Sequence, residues 1–173
     1  MYTIRPAQRS DLPDLPLIET AAAQRFVHSD EAWIADDEGM SFADFEHHFV
    51  HNRIWVALWQ ADGGHESVVG FAVARRLAES IYLHEIDVHP DHGRRGLGRR
   101  LIEVVITWAR QERVPAVTLS TFRAVPWNAP YYAKLGFQAL ADEALAPDLR
   151  AIRTHEAEAG LDISRRLCMI LPI

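Results

Sequence analysis

A short loop rich in glycine and arginine is the part of this sequence with the clearest capacity for chemistry. The loop runs from Gly93 to Gly98; an apolar-rich run from Ile81 to Val88 precedes it, and a helical pattern follows it. A strand, a loop and a helix N-terminus in this order direct main-chain N–H groups and the positive end of the helix dipole at one point. Gly96 and Gly98 have no side chain to keep a bulky anion away. The pattern therefore predicts a pyrophosphate site.

This glycine-arginine loop is expected to bind mainly through its main chain. The residues assigned to the site are Gly93, Arg94, Arg95, Gly96, Leu97, Gly98 and Arg99. Arg94 or Arg95 can supply charge, whereas Arg99 and Arg100 either reach a phosphate or stay solvated on the helix exterior. No Gly-Lys-Ser/Thr follows, so the loop is not a P-loop, and its glycine spacing does not fit a dinucleotide fingerprint.

A second segment, from Pro126 to Phe137, reads as a short helix with a strand after it. Gly136 stands where a helix C-terminus favours glycine. Asn128 precedes the helix and is a candidate cap, with Pro130 in the first turn.

Together the two segments resemble the GNAT superfamily of acetyl-coenzyme-A-dependent N-acetyltransferases. That family carries Val-x-Pro-x-x-(Gln/Arg)-x-x-Gly-x-(Gly/Ala) between its fourth strand and third helix, and Tyr-x-x-x-Gly-Phe about thirty residues later. The matching residues here are Val88, Pro90, Gly96, Gly98, Tyr132, Gly136 and Phe137. Two positions depart from the family: Gly93 replaces Gln or Arg, and Asn128 lies four residues before Tyr132 where the family often has Asn about seven before.

The hydrophobic pattern predicts a mixed α/β (α+β) fold with a central, mostly antiparallel sheet of about seven strands. The predicted strands are Tyr2 to Arg5, Arg53 to Gln60, Val68 to Arg75, Ile81 to Val88, Val114 to Thr121, Phe137 to Leu140 and Arg165 to Leu171. The longer predicted helices are Leu17 to Phe26, Phe42 to His51, Leu97 to about Arg113, and Pro147 to Gly160. A turn with Gly63-Gly64 is expected between residues 61 and 67.

The resemblance adds helices on both faces of the sheet and a splay between strands 4 and 5. It implies that acetyl-CoA enters at this splay, with its pantetheine arm against the main chain of Ile86, Asp87 and Val88. Asn128 and Tyr132 complete the expected coenzyme contacts.

Amine acetylation needs a neutral amine, a stabilised oxyanion and a proton for the leaving thiolate. Tyr132 matches the family's tyrosine and is the candidate proton donor. Glu85 is the candidate base, directly or through water, because it shares a strand face with Asp87 and two nearby carboxylates raise each other's proton affinity. His84, Asp87 and solvent remain alternatives for the base.

Composition narrows the class of protein. The chain has 173 residues, as expected for one domain over residues 1–173, and a formal charge of −6, which argues against nucleic acid as a partner. Cys168 is the only cysteine and is expected to be a core thiol. Neither a signal peptide nor a membrane-spanning run is expected, which favours a cytoplasmic location. His47 and His51 are one helical turn apart but lack a third ligand, so no metal is expected.

The expected function is transfer of an acetyl group to a primary amine of a small molecule, by direct transfer in a ternary complex. Trp33 lies in an acidic loop after the first helix, and an acidic, aromatic wall favours a cationic amine. The alternatives are acetylation of a protein or peptide, and a non-catalytic acetyl-CoA-binding regulatory protein. A homodimer is possible.

Overall fold

The computed structural model of the chain describes residues 1–61 and 64–173. Its strands are β1 (Tyr2–Pro6), β2 (Arg53–Gln60), β3 (Glu66–Arg76), β4 (Ser80–Val88), β5 (Ala116–Phe122), β6 (Gln138–Ala139) and β7 (Arg166–Pro172). Its helices are α1 (Leu15–Ala23), α2 (Phe42–His51), α3 (Leu97–Gln111), α4 (Ala129–Lys134) and α5 (Pro147–Glu158). None of the helices in the described ranges is long and apolar enough to span a membrane.

The seven strands form one mixed sheet in the order β1-β2-β3-β4-β5-β7-β6. The ladders of β1 with β2, β2 with β3, β5 with β7 and β6 with β7 are antiparallel. The ladder of β4 with β5 is parallel and joins Ser80–Leu83 to Ala116–Leu119. It ends there although β4 continues to Val88 and β5 to Phe122. The predicted fold class is confirmed, and this early end of the parallel ladder is the expected splay.

The chain divides into two compact units. The first unit contains Met1–Arg75 and His84–Val105. Its core packs α1 and α2 on β2 and β3 through Leu12, Leu15, Ile18, Phe45, Ile54, Val56, Leu58, Phe71 and Val73. The rings of Phe45 and Phe71 meet edge to face, with centroids 5.2 Å apart.

The second unit contains Arg76–Leu83 and Ile106–Ile173. A core cluster in it combines Tyr82, Leu145, Leu149, Ile152 and Cys168. Burial raises the pKa of the Cys168 thiol to about 11, so it stays protonated at neutral pH. Cys168 is thus a core thiol, as the sequence predicts.

The predicted first helix needs a correction. The sequence places its regular part at Leu17 to Phe26, but α1 begins at Leu15 and ends at Ala23, where a 3₁₀ turn over Gln24–Phe26 follows. Pro16 lies in the first turn of α1, where its missing N–H breaks no helical bond. In the predicted turn between residues 61 and 67, Asp62 and Gly63 lie outside the described residues.

Candidate functional site

The glycine-arginine loop has the backbone of an anion-binding turn. A 3₁₀ turn over Pro90–His92 leads out of β4, and α3 begins at Leu97. Arg94 has φ 56° and Gly96 has φ 77°, so both are left-handed. Left-handed residues within a turn can point successive N–H groups into one concavity. A side chain at Arg94 makes this conformation costly, by about 1–2 kcal/mol.

The hydrogen bonds of the loop show which N–H groups remain for a ligand. The N–H of Gly93 donates to the carbonyl of Pro90 at 3.0 Å. The N–H of Gly93 is therefore engaged within the turn, whereas the sequence predicts it as a donor to the diphosphate. A Cβ at Gly93 would lie 3.1 Å from the Pro90 carbonyl oxygen. Within the described chain, the N–H groups from Arg94 to Arg99 have no acceptor, as is normal for a helix start.

Two of the arginines near the loop are already engaged. Arg99 pairs with Glu103 at 2.9 Å on the exposed face of α3, an i,i+4 ion pair; its contact with a phosphate stays a prediction. Arg100 donates to the carbonyl of Tyr2 at 3.3 Å. In the part of the chain that the structure describes, Arg94 forms no ion pair, which leaves it as a charged side chain available to an anion.

The carboxylate of Glu19 on α1 is fixed by the loop before α2. The main-chain N–H of Met40 donates to both of its oxygens, each at 3.1 Å. Gly39, at φ 63°, lies beside it, and a Cβ at that position would be 2.7 Å from Glu19 Oε1. A side chain at Gly39 would therefore displace the Glu19 carboxylate from this position.

Glu19, Glu85 and Asp87 form an electrostatically coupled acidic group, hereafter the carboxylate group. Burial raises the pKa of Glu19 to about 8, and the negative charge of Glu85 adds to this. Burial also raises the pKa of Asp87 well above its usual range, with contributions from Glu85 and Glu19, while Arg25 acts in the opposite direction. The group therefore retains a proton at neutral pH. The effect of Glu85 on Asp87 is the one that the sequence predicts, and Glu19 adds to it.

The remaining part of β4 carries two further polar features. The main-chain N–H of Ile86 donates to Oε1 of Glu85 at 3.3 Å, a long bond that a better acceptor can replace. The ring of His84 lies 4.6 Å from that of His48 on α2. Burial, followed by His47 and Arg75, lowers the pKa of His48, which favours the neutral ring.

Tyr132 is held in the second unit by the end of α4. Its carbonyl accepts from the N–H of Phe137 at 3.1 Å, and that of Ala133 accepts from Gly136 at 3.0 Å. This is a Schellman motif, and Gly136 has the φ of 97° that it requires. The Tyr132 ring is buried and lies 5.7 Å from that of Phe137. The predicted helix stop is confirmed, and it fixes the tyrosine.

Asn128 occupies the N-cap position of α4, as the sequence predicts, but its side chain makes no capping hydrogen bond. Its amide instead donates to Oγ1 of Thr121 at 2.7 Å, and its backbone (φ −108°, ψ −115°) lies outside the extended region usual for an N-cap residue. Its Oδ1 is buried and, among the described residues, has no hydrogen-bond partner. An unpaired buried acceptor is costly, so this oxygen suits a ligand N–H such as an amide of the pantetheine arm.

The predicted absence of a metal stays a prediction. His47 and His51, the two candidate ligands, do lie close together. The rings of His47 and His51 are 4.6 Å apart. Across residues 1–61 and 64–173, no group of three or more His, Cys, Asp or Glu is arranged to hold a metal ion. Trp33 is 47% exposed, and its indole N–H donates to Glu31 at 3.0 Å, so the acidic loop does present an aromatic face.

Sequence reasoning missed Glu19 and Thr121. Leu15, Ile18 and Ala22 form the buried face of α1, and Glu19 falls at the same spacing, four residues after Leu15. A glutamate on an apolar helix face was the available signal. The sequence contained no such signal for Thr121, because its contact with Asn128 depends on how the chain turns after β5.

Comparison with known proteins matches residues 16–137 to the family model of the acetyltransferase (GNAT) family. The ribosomal-protein-S18-alanine N-acetyltransferase of Escherichia coli is 22% identical, over 100% of this chain and 94% of that one, with a TM-score of 0.64. The PaiA N-acetyltransferase of Thermoplasma acidophilum, in complex with coenzyme A, is 16% identical, over 100% and 99%, with a TM-score of 0.68. N-acetylglutamate synthase of Neisseria gonorrhoeae, complexed with coenzyme A and N-acetyl-glutamate, is 17% identical, over 99% of this chain and 35% of that one, with a TM-score of 0.69.

Proposed function

This chain belongs to the GNAT family of acetyltransferases and depends on acetyl-CoA, and we propose that it acetylates the primary amine of a small, cationic molecule by direct transfer in a ternary complex. The observation that carries the proposal is the carboxylate group of Glu19, Glu85 and Asp87. It combines negative charge for an ammonium ion with raised proton affinity for its deprotonation.

The coenzyme contacts follow from the donors and acceptors that the protein leaves open. The N–H groups from Arg94 to Arg99 and the side chain of Arg94 bind the diphosphate. The family resemblance assigns the pantetheine arm to the main chain from Ile86 to Val88, where the long bond from the Ile86 N–H to Glu85 can be replaced. The unpaired Oδ1 of Asn128 suits an amide of that arm. When bound, acetyl-CoA supplies an activated acetyl group, and the protein has to position it and provide proton transfer.

The acceptor amine arrives mainly as an ammonium ion, which has no lone pair for attack. Glu85 and Asp87 act as one coupled base, directly or through a water molecule, and Glu19 sets their charge. An incoming cation favours the ionised carboxylates, so the proton held at neutral pH is released before the amine is deprotonated. A carboxylate with a raised pKa is a stronger base than an ordinary one, which suits this step.

Tyr132 donates the proton to the leaving thiolate. A phenol with a pKa of about 10 is protonated at neutral pH and can donate to a thiolate of similar basicity. Its ring packs against Phe137, and its backbone is held by the end of α4, so the side chain is ordered before the substrates bind. Such ordering lowers the cost of reaching the reactive geometry.

The small-molecule assignment is supported by the acidic surroundings of Glu19. Asp37 and Asp44 add to the negative potential at its carboxylate, so several charges face one short stretch of the first unit. Trp33 offers an aromatic face in the adjoining loop. Concentrated charge of this kind selects a compact cation more readily than a peptide backbone, which has few charges of its own.

The test is a free-thiol release assay with acetyl-CoA against diamines, aminoglycosides, amino acids and peptides with free N-termini. We expect the highest kcat/KM for a small acceptor with a second cationic group, and a loss of rate when that group is neutral. Preference for peptides would establish the protein N-acetyltransferase alternative. Coenzyme binding by calorimetry without turnover of any acceptor would favour the regulatory alternative.

A further inference from the structure

Tyr2 contacts the segment around the glycine-arginine loop in three separate ways. Its hydroxyl lies 2.9 Å from Nδ1 of His92, within hydrogen-bond distance. The guanidinium carbon of Arg95 lies 5.8 Å from the centroid of its ring. Its carbonyl accepts a hydrogen bond from Arg100 at 3.3 Å. One residue of β1 thus touches the residue before the loop, a residue within it and the first turn of α3.

The sheet holds Tyr2 in a defined position. Tyr2 pairs with Trp59 of β2, and the main-chain groups of Met1 and Gln60 exchange two hydrogen bonds of 2.9 Å beside that pair. The Trp59 ring also approaches His92, with centroids 5.5 Å apart. Contacts to Tyr2 therefore transmit the rigidity of the sheet to the loop.

His92 connects this strand to the loop through its main chain as well. Its N–H donates to the carbonyl of His89 at 2.9 Å, and Gly93 follows it directly. Burial, His89 and Arg95 lower the pKa of His92, so its ring is neutral at neutral pH and can accept the phenol proton. A shift of His92 would therefore move Gly93, the first residue of the loop.

We infer that Tyr2 is a positioning residue for coenzyme binding: through His92 and Arg95 it holds the glycine-arginine loop in the form that receives the diphosphate. The inference rests on the proposed binding of acetyl-CoA at this loop. The loop needs such support because it contains a non-glycine residue in the left-handed region, Arg94, whose conformation is strained. The Tyr2 ring also orients Arg95, a full positive charge beside the loop.

The test compares two acetyl donors, acetyl-CoA and S-acetylpantetheine, which lacks the diphosphate. Tyr2→Phe removes the hydroxyl and keeps the ring; we expect the KM for acetyl-CoA to rise about 3- to 10-fold with little change in kcat. Tyr2→Leu removes the ring as well, and we expect it to raise the KM for acetyl-CoA further. Neither change should alter kcat/KM for S-acetylpantetheine, a selectivity that general loosening of the fold does not produce.

Two controls separate this role from folding. Thr3→Val alters the next, exposed residue of β1 and should leave both donors unaffected. His92→Gln should reproduce Tyr2→Phe, and the double variant should be no weaker than the poorer single variant, because both remove one interaction. Thermal unfolding identifies any variant whose fold is damaged.

The possible failures are distinguishable. If the unaltered protein binds coenzyme A by calorimetry but Tyr2→Phe, Tyr2→Leu and His92→Gln bind it equally well, the positioning role is wrong. Equal loss of kcat/KM with both donors would also overturn it. If the unaltered protein does not bind coenzyme A, the proposed function itself fails.

Discussion

Both carboxylate oxygens of Glu19 lie 3.1 Å from the main-chain nitrogen of Met40. This N–H favours ionisation of Glu19, whereas burial and the charges of Glu85, Asp37 and Asp44 oppose it. The carboxyl group is thus held in place by an uncharged donor, which does not cancel its negative charge when it is ionised. A small change in surrounding charge is enough to change its protonation near neutral pH.

Glu19→Gln should stabilise the protein at alkaline pH. The pKa of Glu19 is about 8 in the folded protein and near 4.5 when unfolded, so the folded state binds the extra proton between these values and loses stability as pH rises through them. The amide carries no charge and escapes this loss. We expect the gain relative to the unaltered protein to be near zero at pH 4.5 and on the order of 2 kcal/mol at pH 9, because coupled neighbours share the change. Urea unfolding at several pH values measures it; a difference that does not vary with pH would contradict the raised pKa.

Glu85→Gln should move the acidic limb of the pH–rate profile to lower pH. The charge of Glu85 raises the pKa of Asp87, so its removal lowers that pKa and ionises Asp87 at lower pH. The maximal rate should fall because one member of the coupled base is lost. The profile is measured with an acceptor of known amine pKa, with Asp87→Asn as the matched variant. An unmoved limb would assign proton removal to another group or to solvent.

Tyr132→Phe should lower kcat by about 10²-fold or more while the Kd for coenzyme A changes little. The ring and its contact with Phe137 are kept, and only the donor hydroxyl is lost. Its neighbour Tyr131 provides the control, since Tyr131→Phe makes the same chemical change one position earlier. Stopped-flow thiol release and calorimetry give the two quantities. Full turnover by Tyr132→Phe would remove the tyrosine from the proton-donor role.

Asn128→Ala should weaken coenzyme binding through loss of the buried Oδ1 acceptor. We expect a rise of about 5- to 10-fold in the KM for acetyl-CoA, the size of one hydrogen bond. Thr121→Val is the matched control, because it removes the bond to the Asn128 amide and leaves Oδ1 in place. An equal effect of the two variants would mean that Asn128 acts only as a support for Thr121.

Local elements were predictable where periodicity and terminators agree. The observed bounds of α2, Phe42–His51, and of β2, Arg53–Gln60, are those predicted. A capping box at Ser41 and Asp44 starts α2, and a left-handed glycine at Gly136 follows α4. These signals lie within a few residues of the helix ends that they define, so they can be recognised without knowledge of the fold.

The relationships between distant segments were not predictable in the same way. Gly70 is an example: a Cβ there would lie 2.8 Å from the carbonyl oxygen of Asp87, so β3 approaches β4 too closely for any other residue. No residue near Gly70 in the sequence indicates this close approach of the two strands. The addition of Glu19 to Glu85 and Asp87 likewise depends on the packing of α1, and the side-chain direction of Asn128 on the turn before α4.

The left-handed conformation of Arg94, followed by that of Gly96, has a consequence for how this segment tolerates change. Because the donors proposed for the diphosphate are peptide groups, a substitution that keeps the backbone conformation of the loop keeps these donors in place. Insertion or deletion of a single residue, by contrast, would shift every later amide and remove the proposed site. Chain length, more than side-chain identity, is what this turn must preserve.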